Sequence, residues 1–154
     1  MENISNLCEK DNIPLSVYLS IIHRQYRIFL NNSLEKEGVN AAQVPVLIYL
    51  LKHERACQDE MATEYKIDKG SIARSVRKLE ELELIYKEIN PENRRKYILY
   101  LTDSGRELAK KIWKIDEKWE NIFYSKINIA KEEIEQVVRQ MTLAAININE
   151  NNGG

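Results

Sequence analysis

The chain has 154 residues, of which 31% are charged and 44% hydrophobic, and its formal net charge is −1. This length and composition are typical of one soluble domain with a packed core, and the near-neutral charge argues against a generally basic nucleic-acid binder. The apolar runs are much shorter than a membrane span, and the first ten residues, MENISNLCEK, lack the basic and apolar segments of a signal peptide. Two cysteines, Cys8 and Cys57, do not form a disulfide framework, so we expect a reduced, cytoplasmic protein.

Apolar residues at helical spacing predict four helices in the first half of the chain. Their predicted ranges are 13–38, 41–54, 57–66 and 67–84. Pro14 suits the start of the first helix and Gly38 its end. Pro45 falls near the first turn of the second helix, where proline is tolerated, and Asp68 is the predicted N-cap of the fourth.

The first predicted helix has two apolar stripes instead of one. One stripe contains Leu15, Leu19, Ile22, Tyr26 and Phe29, and the other contains Val17, Ile21 and Ile28. Two stripes favour burial on two sides, against the chain's own core and against a partner. A central helix in a monomer is the alternative, but a helix near the end of a chain is seldom central.

The pattern then changes to the alternation that is typical of strands, over residues 85–89 and 96–101. The segment NPENRRKY, residues 90–97, joins the two as a hairpin, with a turn at Asn90-Pro91. Arg94, Arg95 and Lys96 follow with no acid between them. Because hairpin tips contact solvent or partners, we expect this tip to reach a nucleic-acid backbone.

Helical spacing resumes after LTDSG, where Thr102 is a good N-cap, and predicts a fifth helix to about residue 126 and a sixth over 130–146. The sixth helix has an apolar stripe that includes Ile134, Val137, Val138 and Met141, and the tail beyond it is expected to be disordered. The expected organisation has three parts. These are an N-terminal helix (1–40), a lobe with the short helices and the hairpin (41–102), and C-terminal helices with a disordered tail (103–154).

Two short helices, a tight turn, a third helix and a hairpin follow the order of a winged helix-turn-helix. The predicted fold is therefore mainly α with a small β-wing, flanked by N- and C-terminal helices. Residues 66–96 contain nine Lys or Arg and six acids, which gives +3 for this segment and leaves −4 for the rest of the chain. The helix after the turn would lie in the DNA major groove.

The angular positions on this helix separate a buried stripe from a polar face. Ile72, Val76 and Leu79 form the predicted buried stripe. Serines and cations form the predicted exposed face, namely Ser71, Arg74, Ser75 and Lys78. Arg77 is predicted to lie to the side and to meet a phosphate or an acid. Lys69 of the same helix and Asn93, Arg94 and Arg95 of the wing complete the candidate DNA contacts. The alternative is a solvated helix whose cations pair with nearby glutamates.

Residues 68–105, DKGSIARSVRKLEELELIYKEINPENRRKYILYLTDSG, resemble the core signature of MarR-type transcription regulators. Leu79-Glu80 is similar to the family's Leu-Glu pair, and Leu101, Thr102 and Gly105 match its Leu-Thr-x-x-Gly. Arg95 corresponds to the wing arginine, but Asn93 replaces the wing aspartate. The glycine often found before the wing is replaced by Glu83 or Leu84, which must avoid a positive φ or bear its cost.

The resemblance implies a homodimer in which the first, fifth and sixth helices interlock. The dimerisation residues would include Leu15, Leu19, Ile22, Ile134, Val137, Val138 and Met141. Two winged lobes would bind one pseudo-palindromic site, with half-site centres about 34–36 Å apart. A small aromatic or anionic effector, bound between the dimer helices and the lobe, would release the DNA. We therefore expect a ligand-responsive repressor.

Three alternatives remain in view. In a thiol-based redox sensor of the same fold, Cys8 or Cys57 would respond to peroxide, but acids near both disfavour a thiolate. A winged helix that binds a protein is the second alternative, and the cations at positions 74, 78, 94 and 95 argue against it because a protein partner would not require them. An enzyme would need a nucleophile with a base, and the sequence has no glycine-rich phosphate loop, HExxH or GxSxG motif. No metal or other cofactor is predicted, since His23 and His53 are isolated.

Overall fold

The computed structural model of the chain describes residues 13–151. Six α-helices and a three-stranded antiparallel sheet occupy these residues, which confirms the predicted mainly α fold with a small β-wing. The elements are α1 (Leu15–Leu34), α2 (Val44–His53), β1 (Arg55–Ala56), α3 (Gln58–Glu64), α4 (Lys69–Glu81), β2 (Ile85–Asn90), β3 (Asn93–Leu101), α5 (Asp103–Tyr124) and α6 (Lys131–Asn151). Backbone contacts divide the chain into two compact units, one ending at Asp116 and the other beginning at Glu117. None of the described helices is long and apolar enough to cross a membrane.

Most of the helix ends lie one to five residues from the predicted ends, and three of the differences have a clear local cause or consequence. Pro14 is the N-cap of α1 and not its first helical residue. The last turn of that helix becomes a 3₁₀ turn, Glu35–Glu37, which ends at Gly38 with a φ of 71° that glycine adopts without strain. The prediction of disorder beyond the sixth helix is wrong up to Asn151, because α6 continues to that residue. The last three residues lie outside the described part of the chain.

The core of the first unit explains which part of α1 is anchored. Its fully buried large side chains come from every helix up to α5 and from the sheet, and they include Leu30, Leu34, Leu47, Leu50, Met61, Leu79, Leu99 and Ile112. Only the C-terminal end of α1, at Leu30 and Leu34, enters this core. The N-terminal part leaves Leu15, Leu19 and Ile22 exposed within the protomer.

The sheet has the order β1-β3-β2, and β1 was not predicted from the sequence. Its two residues pair with the wing strand, Arg55 opposite Tyr100 and Ala56 opposite Leu99. The predicted hairpin is present, with β2 and β3 paired from Ile85 opposite Leu101 out to Asn90 opposite Asn93. Because β1 directly precedes α3, this pairing ties the wing to the helix-turn-helix.

The Leu-Thr-x-x-Gly segment forms the junction between the wing and α5. The carbonyl oxygen of Leu84 accepts a hydrogen bond from the Thr102 N–H at 3.1 Å. The Thr102 hydroxyl donates to the carbonyl of Glu83 at 2.8 Å and accepts from the Gly105 N–H at 3.0 Å. A Cβ atom on Gly105 would lie 1.8 Å from the Leu84 oxygen, so only glycine allows this contact.

Glu83 is one of the two residues that replace the glycine often found before the wing, where a positive φ was in question. Its φ is 55°, in the left-handed region. A residue with a side chain adopts this conformation at a cost of about 1–2 kcal/mol. The chain therefore carries local strain at the turn between α4 and β2.

The second unit contains the end of α5 and the whole of α6. Lys131 pairs with Glu120 at 3.4 Å and with Glu135 at 3.6 Å, and its ammonium lies 5.1 Å from the centre of the Tyr124 ring. None of the residues of α6 is buried within the protomer. Val137 and Val138 are both more than half exposed.

Candidate nucleic-acid interface

The first turn of α4 is fixed by Asp68, as the sequence predicts. Its Oδ1 accepts a hydrogen bond from the Ser71 N–H at 2.8 Å, which satisfies one of the free N–H groups at the start of the helix. Hydrogen bonds from Ser71 also lower the pKa of the Asp68 carboxyl. The helix therefore starts at a defined residue, and its faces have a fixed orientation in the lobe.

The buried stripe of α4 is the predicted one, with Ile72, Val76 and Leu79 in the core. Arg74 and Lys78 are exposed, as predicted. Ser71 is half-buried, and its hydroxyl accepts a hydrogen bond from Nη2 of Arg74 at 2.8 Å. The exposed face thus carries cations, one of which is held by the serine at the start of the helix.

The prediction that Ser75 shares this exposed face is wrong. Ser75 is only 5% exposed, and its hydroxyl donates to the carbonyl oxygen of Ala42 at 2.9 Å. At about 100° per residue, Ser75 lies only about 40° from Leu79, on the edge of the buried stripe. A buried hydroxyl is tolerated there because it finds an acceptor. Ser75 is therefore a packing residue that links α4 to the segment before α2.

With Ser75 counted among the buried residues, Arg77 moves towards the middle of the exposed face. It lies about 150° from the centre of the buried stripe at 100° per residue, and it is exposed. Gly70 and Ala73, its neighbours on the same face, are also exposed and are small. The sequence interpretation that Arg77 lies to the side is therefore wrong, because it depended on a serine that is buried.

The tip of the wing is a tight connection between Asn90 and Asn93. The side-chain oxygen of Asn90 accepts a hydrogen bond from the Glu92 N–H at 2.9 Å. That of Asn93 accepts from the Arg95 N–H at 3.1 Å. Asn93 replaces the wing aspartate of the family with a neutral side chain. Its amide oxygen still accepts a hydrogen bond from the backbone, and this bond fixes the backbone at Arg95.

Four candidate cations are available to a partner. Arg77, Lys78, Arg94 and Arg95 are all exposed. Within residues 13–151, none of the four forms an ion pair with an acidic side chain. The nearby Glu80 pairs instead with Lys87 of β2, at 2.9 Å. Among the described residues, glutamates therefore do not neutralise the exposed cations of α4, and the alternative of a helix paired with nearby glutamates is wrong.

Lys69 differs from these four because it is paired with Asp59 of α3. The Nζ atom of Lys69 lies 2.8 Å from Oδ1 of Asp59, and Nζ of Lys96 lies 2.9 Å from Oδ2 of the same carboxylate. The two lysines lower the pKa of Asp59 to about 2. The start of α4 and the wing strand β3 therefore lie on the same side of the lobe. Asp59 lies in the first turn of α3, where an acid is common, and the sequence pattern does not indicate its link to the two lysines.

Cys57 is the N-cap of α3, and its N–H donates to Oε2 of Glu60 at 2.7 Å. Burial raises the pKa of the Cys57 thiol, and the hydrogen bond and charge of Glu60 raise it further. A thiol with a raised pKa has little thiolate at neutral pH, which argues against a peroxide-sensing role. Cys8, the other candidate, lies outside the described residues.

A cleft of about 690 Å³ opens beside α4, within the first unit. It is lined by α1, by the start of α2 and the residues before it, and by the first turns of α4. Its polar lining includes His23, Tyr26, Arg27, Ser71 and Arg74. The Tyr26 hydroxyl donates to Asp116 of α5 at 2.7 Å. Tyr26 packs against the core and also lines the cleft.

Comparisons with known proteins agree with this geometry. The model of the MarR family matches residues 39–97, which contain the helix-turn-helix and most of the wing. The HTH-type transcriptional regulator BilQ of Clostridioides difficile (strain CD3) is 27% identical over 107 residues, which cover 70% of this chain and 72% of BilQ.

Solved structures extend the likeness to nearly the whole chain. A crystal structure of MarR is 35% identical, with a TM-score of 0.80, and the match covers 92% of this chain and 97% of that one. The Staphylococcus aureus MepR–DNA complex has the same fold, with a TM-score of 0.78 at 22% identity, over 89% of this chain and 99% of that one. The chain therefore belongs to the MarR family of winged-helix, DNA-binding transcriptional regulators.

Proposed function

We propose that the protein is a homodimeric, cytoplasmic repressor that binds a pseudo-palindromic DNA site and leaves it when a small effector binds. The observation that carries the proposal is the set of exposed cations without acidic partners on α4 and at the wing tip. Asp59 contacts both Lys69 at the start of α4 and Lys96 of β3, which supports a common DNA-binding face for α4 and the wing. A single duplex can then meet α4 in one groove and the wing in the next.

In this proposal α4 is the recognition helix, which lies in the major groove. Arg74 and Arg77 contact base edges, where an arginine can bond guanine through two parallel hydrogen bonds. The small residues Gly70 and Ala73, on the same face as Arg77, let the helix axis come close to the bases. Lys78 contacts a phosphate or a base edge.

Arg94 and Arg95 of the wing would enter the adjacent minor groove. Narrow, A·T-rich minor grooves concentrate negative potential and attract arginine. The hydrogen bond from the Arg95 N–H to Asn93 supports this role because it limits the freedom of the tip before DNA binds. The wing then adds affinity with little sequence information.

The dimer is supported by apolar residues that the protomer leaves exposed. Leu15, Leu19 and Ile22 of α1 are 60%, 47% and 45% exposed. Val137 and Val138 of α6 are 54% and 53% exposed, while Ile134 and Met141 are half-buried. Apolar side chains that recur at helical spacing on an exposed face are typical of a protein interface. A two-fold dimer would present two α4 helices to half-sites one helical turn apart.

Replacing Arg95 by alanine tests the DNA contact of the wing. We expect the affinity to fall about five- to tenfold, both for a duplex selected from a random library by the wild-type protein and for a shuffled duplex of equal composition. The slope of log K against log salt should become shallower by about one unit, because one phosphate contact is lost. Fluorescence anisotropy over a salt series measures both quantities. Arg139→Ala, at an exposed arginine of α6, is the control, and equal behaviour of the two variants would refute the wing contact.

The cleft beside α4 supports release by an aromatic or anionic effector. Arg27 and Arg74 bring two cations to its lining, and Tyr26 adds an aromatic ring. Ser71 and Arg74 belong both to the cleft and to the exposed end of the recognition helix. An anion that bonds Arg74 would therefore compete directly with guanine for the same guanidinium group.

Benzoate, the simplest aromatic carboxylate, is a suitable probe of this release. We expect millimolar benzoate to dissociate the selected duplex, and Arg27→Met to raise the required concentration about tenfold, because one charge-assisted hydrogen bond is lost. Arg27→Met should leave DNA affinity without benzoate unchanged. Arg24→Met is the matched control, since Arg24 is an exposed arginine on the same helix and does not line this cleft. Release that is absent, or that is equal in the two variants, would contradict an effector site in this cleft.

A further inference from the structure

The carboxylate of Asp59 is the point where three elements of the DNA-binding lobe meet. Asp59 lies in the first turn of α3, Lys69 is the first residue of α4, and Lys96 lies in β3. Each oxygen of the carboxylate serves one lysine, at 2.8 and 2.9 Å. The recognition helix and the wing are thus joined through one side chain that belongs to neither.

This triad adds little to folding stability. Lys69, Lys96 and Asp59 have 77%, 46% and 43% of their side-chain surfaces exposed. Ion pairs between such exposed groups contribute little to stability because solvent screens them. The wing is already attached to the lobe through the pairing of β1 with β3. The position of the triad, between the two DNA-contacting elements, therefore points to a role in binding.

We propose that Asp59 is a positioning residue for DNA specificity, which restrains Lys69 and Lys96 and so holds the recognition helix and the wing in one relative position. A lysine is a flexible point charge that binds any phosphate, so it adds affinity without sequence information. By engaging both lysines, the carboxylate limits their contacts with DNA that lacks the specific site. The inference rests on the proposed DNA-binding face.

Asp59→Asn keeps the size of the side chain and removes its charge. We expect the affinity for the shuffled duplex to rise about tenfold at 0.15 M salt, and the salt slope to steepen by up to two units, because two lysines become free for phosphates. The affinity for the selected duplex should rise less, so the ratio of specific to non-specific affinity falls. Thermal unfolding without DNA should show a nearly unchanged midpoint.

Glu60→Gln is the matched control for the same loss of charge. Glu60 lies next to Asp59, and its carboxylate accepts a hydrogen bond from the Cys57 N–H. The side-chain oxygen of a glutamine can accept the same hydrogen bond. We expect the affinity of Glu60→Gln for the shuffled duplex to change less than about twofold, since no lysine is released. In the double variant Asp59→Asn/Lys96→Met, the salt slope should be about one unit shallower than in Asp59→Asn, because one of the two released lysines is absent.

The outcomes separate the inference from the proposed function. If Asp59→Asn matches Glu60→Gln in affinity and slope, the positioning role is overturned. A parallel loss of affinity for both duplexes, with a lower unfolding midpoint, would overturn it in favour of a structural role. Wild-type protein that binds neither duplex in a salt-dependent manner would overturn the proposed DNA-binding face itself.

Discussion

Replacing Gly105 by alanine is expected to destabilise the protein by about 3 kcal/mol or more. The added Cβ would lie 1.8 Å from the carbonyl oxygen of Leu84 and 2.8 Å from its carbon. Overpacking usually costs about 1–3 kcal/mol when side chains can move aside, and here the obstacle is backbone. The same carbonyl accepts the Thr102 N–H, so a shift of Leu84 would also break the start of α5. Urea unfolding followed by circular dichroism measures the loss.

Gly70→Ala is the matched control for this change. A Cβ on Gly70 would lie 3.2 Å from Oδ1 of Asp68 and 3.3 Å from Nη1 of Arg74, so these side-chain atoms would need to shift by a few tenths of an ångström, whereas no backbone atom would need to move. Because alanine favours a helix by about 0.5–1 kcal/mol over glycine, we expect this variant to be as stable as the wild type or slightly more stable. Equal stability of the two alanine variants would show that the junction tolerates a side chain.

Local signals in the sequence located the main parts of the candidate site. Asp68 is followed by helical spacing, and an N-cap needs only the backbone N–H groups of the next turn, so its role is visible without the fold. The wing is equally local, since Asn90-Pro91 marks the turn and alternating residues flank it. Such elements depend on near neighbours, and the sequence contains their whole cause.

Distant partners explain what the sequence did not indicate. Ser75 can be buried because its hydroxyl donates to the carbonyl oxygen of Ala42. Ala42 lies 33 residues away in the chain, so the local sequence does not indicate this contact. β1 has two residues, too few for an alternating pattern, and exists because β3 offers an edge to pair with. Asp59 lies in the first turn of α3, where the helix dipole favours an acidic residue. Because this local effect alone accounts for an acid at that position, the sequence gives no sign of its contacts with Lys69 and Lys96.

The first helix shows how a pattern can indicate burial without indicating its extent. The two apolar stripes predict two buried sides but do not say which end of the helix enters the core. In the structure Leu30 and Leu34 are in the core, while Leu15 and Leu19 are exposed. The exposed part is thus available to a second copy of the chain without any change in the core.

Replacing Leu19 by glutamate is expected to convert the proposed dimer into a folded monomer. Leu19 is 47% exposed in the protomer, so a charge there leaves the core intact but would be buried in the dimer, where an unpaired charge costs several kcal/mol. Sedimentation velocity should give half the wild-type mass, with an unchanged circular dichroism spectrum. The affinity for the selected duplex should fall about 100-fold or more, because the second half-site is no longer tethered to the first.

Ser16→Glu provides the comparison, since Ser16 is an exposed polar residue on the same helix and outside both apolar stripes. We expect this variant to remain dimeric and to bind DNA with wild-type affinity. If Leu19→Glu also remained dimeric, the N-terminal part of α1 would lie outside the interface, and the exposed residues of α6 would have to supply it. A monomeric wild-type protein would instead remove the two-fold symmetry on which a pseudo-palindromic site depends.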